Sequence, residues 1–417
     1  MRQIPSRTVK KMELQNLSRL NNPLKTTLAI TLVVVITSAS FAPVHATGFQ
    51  LLRTFVSPSP ANDAFFGWAA SMIGNRIFIG APFDNTAGSD SGAVYVFNAT
   101  TGGFLRTILS PSPSPGDEFG ISLAALGSNI LVGAHFVSTQ AFDSGAAYLF
   151  DGGTGGLIQT FVNPNPAPNA RFGESVAAMP KNETGRQSFR DTNILIGGFT
   201  AAYLIDRETG QPLVTVHDPN PAGGDAFGSS VAAVGGNILV GAHLTSTGVT
   251  AAGAAYLFDG SNGALLHTFL NPAPVNFGFF GLALASIGGN VIISAHQDLV
   301  SGTQAGEAFV FNATSGALVQ TIPDPGHGID AFGRSIAIVN GNVVIGAPED
   351  STTAINAGTV YVFNGRPLTL VQTILDPTPA QDDRFGLSLA ASGGALIIGA
   401  PREKVASIAA GAAFLFG

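Results

Sequence analysis

Residues 225–243 read DAFGSSVAAVGGNILVGAH. Two short apolar runs flank Gly235-Gly236, a dipeptide that accepts the positive φ required by two-residue turns of types I′ and II′. The stretch therefore reads as a tight β-hairpin. It is one copy of a repeat. Phe-Gly recurs at Phe66, Phe119, Phe172, Phe227, Phe280, Phe332 and Phe385, at spacings of 53, 53, 55, 53, 52 and 53 residues. Fourteen residues after the Phe stands a Gly-Ala-Pro-like triplet: GAP at 80, GAH at 133, GAH at 241, SAH at 294, GAP at 346 and GAP at 399. The third copy is altered, with GGF at 197. Fifteen residues beyond each regular triplet lies an aromatic: Tyr95, Tyr148, Tyr256, Phe309, Tyr361 and Phe414.

Working outward, a third strand such as AAYLF follows each hairpin and stops at an Asx-Gly turn, as in NATTGG at 98 and DGGTGG at 151. A fourth strand carries Thr at a fixed place: Thr107, Thr160, Thr215, Thr268, Thr321 and Thr373. It ends in text such as NPNPAP, where proline cannot extend a ladder and sends the chain toward the next sheet. Four antiparallel strands per roughly 50 residues is the arithmetic of a propeller blade. The two ends decide between a ring and an open array. LLRTFV (51–56) is an isolated fourth strand with Thr54 in place, and the last unit stops at its third strand, GAAFLFG. Pairing the two removes two exposed edges. The expected fold is all-β: a seven-bladed β-propeller of four-stranded antiparallel blades, closed by the N-terminal strand on the C-terminal one. The third blade should differ at both faces. It inserts KNETGRQSFRD (181–191) at its hairpin and shortens the loop before AAYLI by nine residues.

Composition agrees. The 417 residues include 52 Gly, 30 Phe and 11% charged residues, which favours short strands and tight turns. Residues 1–46 stand apart: six Lys or Arg against Glu13, then the apolar TLAITLVVVITSASFA (27–42) and small residues at Ala42 and Ala46. This is the pattern of a signal peptide, with an uncleaved membrane anchor as the alternative, and 47–417 forms the propeller. Six of the 19 Lys and Arg lie in the leader, against one of the 26 Asp and Glu, so the remainder carries a net −12. Such a chain repels phosphate backbones, and no nucleic-acid partner is expected. A membrane is met only through an uncleaved leader. With no Cys, disulfides and thiolate metal sites are excluded.

On these Phe-Gly and Gly-Ala-Pro pairs, residues 49–417 resemble the FG-GAP propeller proteins, which include the head of integrin α subunits. The likeness is closer to exported microbial FG-GAP proteins. The resemblance implies a seven-bladed propeller, extracellular placement and ligand binding at one face of the disc. Many integrin-type repeats carry an Asp-rich calcium loop, DxDxDG, between strands one and two. Here a bare Gly-Gly or Gly-Ser turn stands in that place, so the resemblance carries no calcium loop over, although calcium remains possible elsewhere. A fainter likeness of DGGTGGLIQTF (151–161) to quinoprotein propellers lacks their recurring Trp.

Loops between strands two and three, and between strand four and the next blade, must share a face. Because binding residues concentrate on loops held by a rigid scaffold, that face is the expected interaction surface. Its candidate binding acids are Asp84, Asp90, Asp143, Asp298, Glu349, Asp350 and Glu403, with solvated loop acids as the plainer account. Asp63, Asp117, Asp225, Asp330 and Asp383 recur before Phe-Gly. They read as a carboxylate ring able to hold a cation, or as caps of their own turns. His135, His243 and His296 take the third place of the triplet, as zinc ligands or, more simply, as turn residues. Asn98, Asn182 and Asn312 begin glycosylation sequons. No HExxH, GxSxG, GxGxxG or P-loop occurs, which leaves catalysis open, since propellers can assemble sites from separate blades. The functional expectation is an extracellular or cell-surface adhesion module binding a protein or glycan, without a cofactor. The alternatives are an exported hydrolase or lyase acting on polysaccharide through paired loop carboxylates, and a structural envelope component.

Overall fold

The computed structural model describes residues 48–180, 192–221, 223–297, 299–300, 303–326 and 328–417. The leader 1–46, the insertion 181–191, Asn182 and Asp298 lie outside them. Among the described residues, seven four-stranded antiparallel sheets form within the unit Phe49–Gly417. Blade one comprises Ala69–Ile73, Arg76–Ala81, Ala93–Asn98 and Phe104–Leu109. Blades two to six repeat the order. Blade seven joins Ser388–Ser392, Ala395–Ala400 and Ala412–Phe416 to the N-terminal strand Leu51–Val56. The closing register runs from Leu51 against Phe416 to Val56 against Ala412. Gln50 and Gly417 exchange both backbone hydrogen bonds, at 3.0 and 3.1 Å.

The turns obey the expected chemistry. Gly74, Gly127, Gly235, Gly288, Asn340 and Gly393 all take φ between 51° and 64°, and in blades five to seven the second turn residue is also positive. The two middle strands of a blade are buried, whereas the last strand alternates exposed and buried residues at the rim, as in LIQTFV of Leu157–Val162. The first strands, rich in Ala and Ser, neighbour one another round the ring, including Ala69–Ile73 against Ser388–Ser392.

The two signature elements have one physical meaning. The Phe of every Phe-Gly is at most 1% exposed. It packs on the aromatic of its own third strand, as Phe66 on Tyr95 at 5.6 Å and Phe385 on Phe414 at 5.5 Å between ring centroids. Removing such a ring costs about 3–5 kcal/mol. The Gly of each triplet lies against the Gly carbonyl of the next blade. A Cβ on Gly133 would fall 2.0 Å from the Gly173 oxygen, and one on Gly399 would fall 2.0 Å from that of Gly67. Ser122, Ser175, Ser230, Ser335 and Ser388 then donate their hydroxyls to that same carbonyl across the blade boundary, at 2.6 to 2.8 Å. Blade five swaps the pair. Ser294 stands for the Gly, Ala283 stands for the Ser, and the Ala283 N–H donates to Ser294 Oγ at 3.0 Å.

Blade three departs as expected where it is described. Its second and third strands, Thr192–Gly198 and Ala201–Ile205, leave only Phe199 and Thr200 between them. Two loops hold elements the repeat did not announce, the short hairpins Leu299–Val300/Thr303–Gln304 and Lys404–Val405/Ile408–Ala409.

Candidate functional site

The long-loop face is a rigid layer. Outside blade three, each loop between strands two and three is hydrogen-bonded to the segment entering the next blade. Gly116, Glu118 and Phe119 donate to Ser89, Asp90 and Ser91, and Asn169, Arg171 and Phe172 donate to Phe142, Asp143 and Ser144. The contact is close enough to form parallel bridges Gly92–Phe119, Gly145–Phe172 and Gly253–Phe280. Gly92 is obligatory there: its φ is +82° and a Cβ would sit 2.2 Å from the Phe119 carbonyl oxygen.

The acids named from the sequence are mostly built into this layer. Asp84 is 2% exposed, accepts the Tyr95 hydroxyl at 2.7 Å and caps the Thr86 N–H at 2.8 Å. Asp350 repeats the arrangement with Tyr361 and Thr352, both at 2.7 Å. Burial, joined by the carboxylate partner, pushes the Tyr95 hydroxyl up to about 12. Asp117 accepts from Ser114 N at 2.7 Å, and Asp330 from Gly328 N at 3.0 Å. Both are buried, as is Asp225. Asp63 is exposed and takes the Asn62 amide at 2.6 Å. These five positions are not brought together. Among the described residues only Asp383 joins a cluster of three potential ligands, with Asp376 and Glu403. Asp90 and Asp143 hold φ of 50° at loop tips, and Glu349 accepts from Arg384 at 2.8 Å. Asn98 and Asn312 cap their own turns through Thr101 and Ser315, each at 2.8 Å.

The Asp376, Asp383 and Glu403 cluster is the place where paired acids with raised pKa values occur. Burial, then mutual repulsion, pushes Glu403 up to about 8. Burial likewise pushes Asp376 and Asp383 up to about 6. Their exposures are 4%, 0% and 7%, so no polysaccharide chain reaches them.

Residues the sequence reading passed over line a cavity that joins three blades. Side chains flanking Phe-Gly, and those following the triplet, converge where the first strands surround the axis. Phe65 and Trp68 of blade one share a cavity of about 300 Å³ with Arg334 of blade six and Arg384, Leu387, Pro401 and Arg402 of blade seven. Trp68 stacks on Phe65 at 5.9 Å between centroids, Phe83 meets both edge-on, and Arg402 lies 5.2 Å over the Phe65 ring. Arg384 Nη1 pairs with Glu349 while its Nε has no partner. Burial, then the Arg384 charge, presses the Arg334 pKa down, and Glu174 of blade three acts on the same guanidinium. A guanidinium stays protonated through such a shift.

The opposite side of this mouth is organised by the three His. His135 bridges Glu118 (Nε2, 3.0 Å) and Glu174 (Nδ1, 2.5 Å). Burial pulls its pKa down, but the two carboxylates outweigh burial and raise it to about 9. Burial, then Arg334, lowers His243 to about 4 and His296 to about 3. His243 pairs with Ser229 Oγ at 2.7 Å and His296 stacks on Phe279 at 5.3 Å. Arg171 spans the rings of Phe136 and Phe199 at 4.7 and 4.3 Å. Beside this, Glu118 and Phe136 belong to a cleft of about 680 Å³ in blade two, lined also by Asp117, Asp143, Tyr148 and the 68% exposed Phe142. The mouth can therefore offer cationic forks and aromatic faces to a ligand, and the blade-two cleft is a separate polar, ring-lined groove.

The FG-GAP repeat family pattern matches residues 55–97, 106–150, 214–258, 321–363 and 368–416. Each match runs from an outer strand into the third strand of the following blade. The two blades left out, three and five, carry the altered triplets at 197–199 and 294–296. No curated protein matches the chain. The matched segments cover more than half of the sequence and the ring carries the same plan through the rest: the chain belongs to the FG-GAP repeat family and is a seven-bladed β-propeller.

Proposed function

We propose that the protein is an extracellular or cell-surface interaction module that binds an acidic glycan at the mouth of its axial channel. An FG-GAP propeller suits an interaction role. The leader-like composition of residues 1–46 supports export. No helix among the described residues is long and apolar enough to cross a membrane. One observation carries the ligand class: Arg334, Arg384 and Arg402 face a single cavity of about 300 Å³ walled by Phe65 and Trp68, in a chain whose net charge is −7. Guanidinium forks match carboxylates, and aromatic faces match the apolar face of a sugar ring.

The test is a binding screen of uronate-bearing, sulfated and neutral oligosaccharides, with acidic peptides as a separate arm. Acidic oligosaccharides should bind, and Arg334→Gln should weaken them about tenfold, the worth of one charge-assisted hydrogen bond. Neutral sugars binding equally well, or indifference to Arg334→Gln, would refute the reading. A protein partner is the second reading. It rests on Phe142, Phe277, Ile329 and Ile355, which stand 50–68% exposed on the long loops. Binding of acidic peptides alone, lost when Phe142 and Ile355 become Ser, would favour it.

A further inference from the structure

Between blades six and seven the structure departs from its own repeat. Where the outer strand of one blade meets the third strand of the next, Tyr95, Tyr203 and Tyr361 each direct a hydroxyl into a small polar pocket. They donate to Asp84 at 2.7 Å, Asn163 at 3.1 Å and Asp350 at 2.7 Å. In blade seven the same register position, opposite Ile398 as Tyr361 is opposite Ile345, holds Phe414. The hydroxyl is gone, and three acids share the pocket: Asp376 just after Thr369–Leu375, Asp383 before Phe-Gly, and Glu403 after the triplet. Blade six has acids at the same three places, Asp324, Asp330 and Asp350, but there Tyr361 donates to Asp350. Blade five also carries Phe, at 309, but has the neutral Asn271 at the position of Asp376.

Each of the three carboxylates is satisfied on one side only. Asp376 Oδ1 accepts the Thr378 N–H at 2.9 Å, Asp383 Oδ2 accepts that of Ala380, and Glu403 Oε1 accepts the Thr378 hydroxyl at 3.0 Å. The other oxygens, Asp376 Oδ2, Asp383 Oδ1 and Glu403 Oε2, make no hydrogen bond of ordinary geometry, although all three residues are more than nine-tenths buried and the Lys404 backbone acts on the Asp383 carboxyl. Buried polar atoms left unpaired are rare, and three in one pocket need one explanation. One ligand atom from each residue lies within 4.8 Å of the others. Three points so close all fit within about 2.8 Å of a common centre, near the 2.3–2.6 Å of calcium–oxygen bonds.

We propose that Asp376, Asp383 and Glu403 form a binding site for a calcium ion that locks blade six to blade seven. The ligand set is hard oxygen with a formal −3 charge. Magnesium, which keeps most of its water, fits a dry pocket of three carboxylates less well. Burial raises all three acids, Asp383 adds to the rise at Asp376, and Asp376 and Asp383 add to it at Glu403. Lys404 is the one cationic side chain that acts on Asp383, and it is exposed. The site lies apart from the strand-one to strand-two turns. Asp383 directly precedes Arg384 and Glu403 directly follows Arg402, so the ion would also fix the loops that carry two of the mouth's arginines.

The experiment is calcium titration of the chelator-stripped protein by calorimetry, with melting curves in calcium and in EGTA. One ion should bind per chain, and Tm should rise by about 3 °C at a free concentration a hundred times Kd. Glu403→Gln should weaken binding at least tenfold. Phe414→Tyr supplies the hydroxyl used by the other blades. It should abolish binding while melting cooperatively, at a Tm in EGTA no lower than the parent's. No uptake, or uptake unaltered in both variants, would overturn the proposal. Glycan binding at the mouth is scored separately, so its failure leaves this result intact.

Discussion

Gly241→Ala tests the central packing rule of the ring. An ideal Cβ at 241 would lie 2.0 Å from the Gly281 carbonyl oxygen and 2.2 Å from Ser230 Oγ. Ordinary carbon–oxygen contacts begin near 3.3 Å, so blade five must withdraw by roughly 1.3 Å at this point. Overpacking of this kind costs about 1–3 kcal/mol. The withdrawal also breaks the 2.6 Å hydrogen bond from Ser230 to Gly281, worth about 1 kcal/mol. Together the expected loss is about 2–4 kcal/mol. For a unit spanning Phe49–Gly417 the unfolding entropy is about 0.8 kcal/mol/K, which turns that loss into a Tm lower by about 3–5 °C. Blade five contains the control. Ser294 already carries a Cβ at the equivalent position and accepts from Ala283 N. Ser294→Ala therefore removes this bond and the longer one, 3.4 Å, that Ser294 Oγ donates to the Ala283 carbonyl, without overlap, and should lower Tm by about 1–2 °C. Scanning calorimetry on both variants decides the matter. A Gly241→Ala protein melting within 1 °C of its parent, or a Ser294→Ala protein falling as far, would show that the glycine contact does not set blade spacing.

Tyr361→Phe strips Asp350, which is 1% exposed, of its hydroxyl donor. A loss of about 2–3 kcal/mol is expected in urea unfolding, and a change below about 0.5 kcal/mol would mean the pair contributes little. His135 has a folded pKa raised to about 9, so its contribution is complete below the unfolded value of roughly 6.5 and disappears as pH climbs through 9. His135→Gln should thus lower Tm at pH 6 and leave it unchanged at pH 10, and parallel pH profiles for the two proteins would contradict this. Truncation through Val56 uncovers the edge of Ala412–Phe416 and removes Phe55, which is 2% exposed. Association that grows with concentration is expected in gel filtration, and a monomer with the parent's Tm would argue against closure by that strand.

Much of the fold was legible because its determinants are local and periodic. The two-residue turn at Gly235-Gly236, the Thr strands and the orphan strand LLRTFV each declare themselves within a few residues, and their spacing does the rest. The site was harder to read for the opposite reason. Phe65, Trp68, Glu174, Arg334 and Arg384 sit beside Phe-Gly at unlike positions in unlike blades, and only the closing of the ring brings blades one, three, six and seven to one axis. A signal was present: beside the constant Phe-Gly these flanking places vary from blade to blade. The loop acids misled because Asp84 and Asp350 look solvated in sequence, yet each is the acceptor for a tyrosine hydroxyl eleven residues on. Their meaning depends on a partner in the next strand.

That division has a structural cause, which bears on where recognition can reside. At a blade boundary the Gly–Gly contact tolerates no side chain, the Phe beside it is sealed in the core, and the serine above it is spent on the neighbour's carbonyl. None of these can change without moving a whole sheet. The rim strands are exposed but alike, presenting Leu-Leu, Leu-Ile or Leu-Val pairs in blade after blade. A surface that repeats round a ring cannot distinguish one direction of approach from another. Only the residues just before and just after Phe-Gly, with those following the triplet, are both unconstrained by packing and aimed at shared space. There the protein has placed its one Trp, three arginines and a His clamped by two glutamates. Asymmetry in a symmetric scaffold is thus concentrated at the axial mouth and the loops around it, and the ligand specificity proposed above would have to be written there.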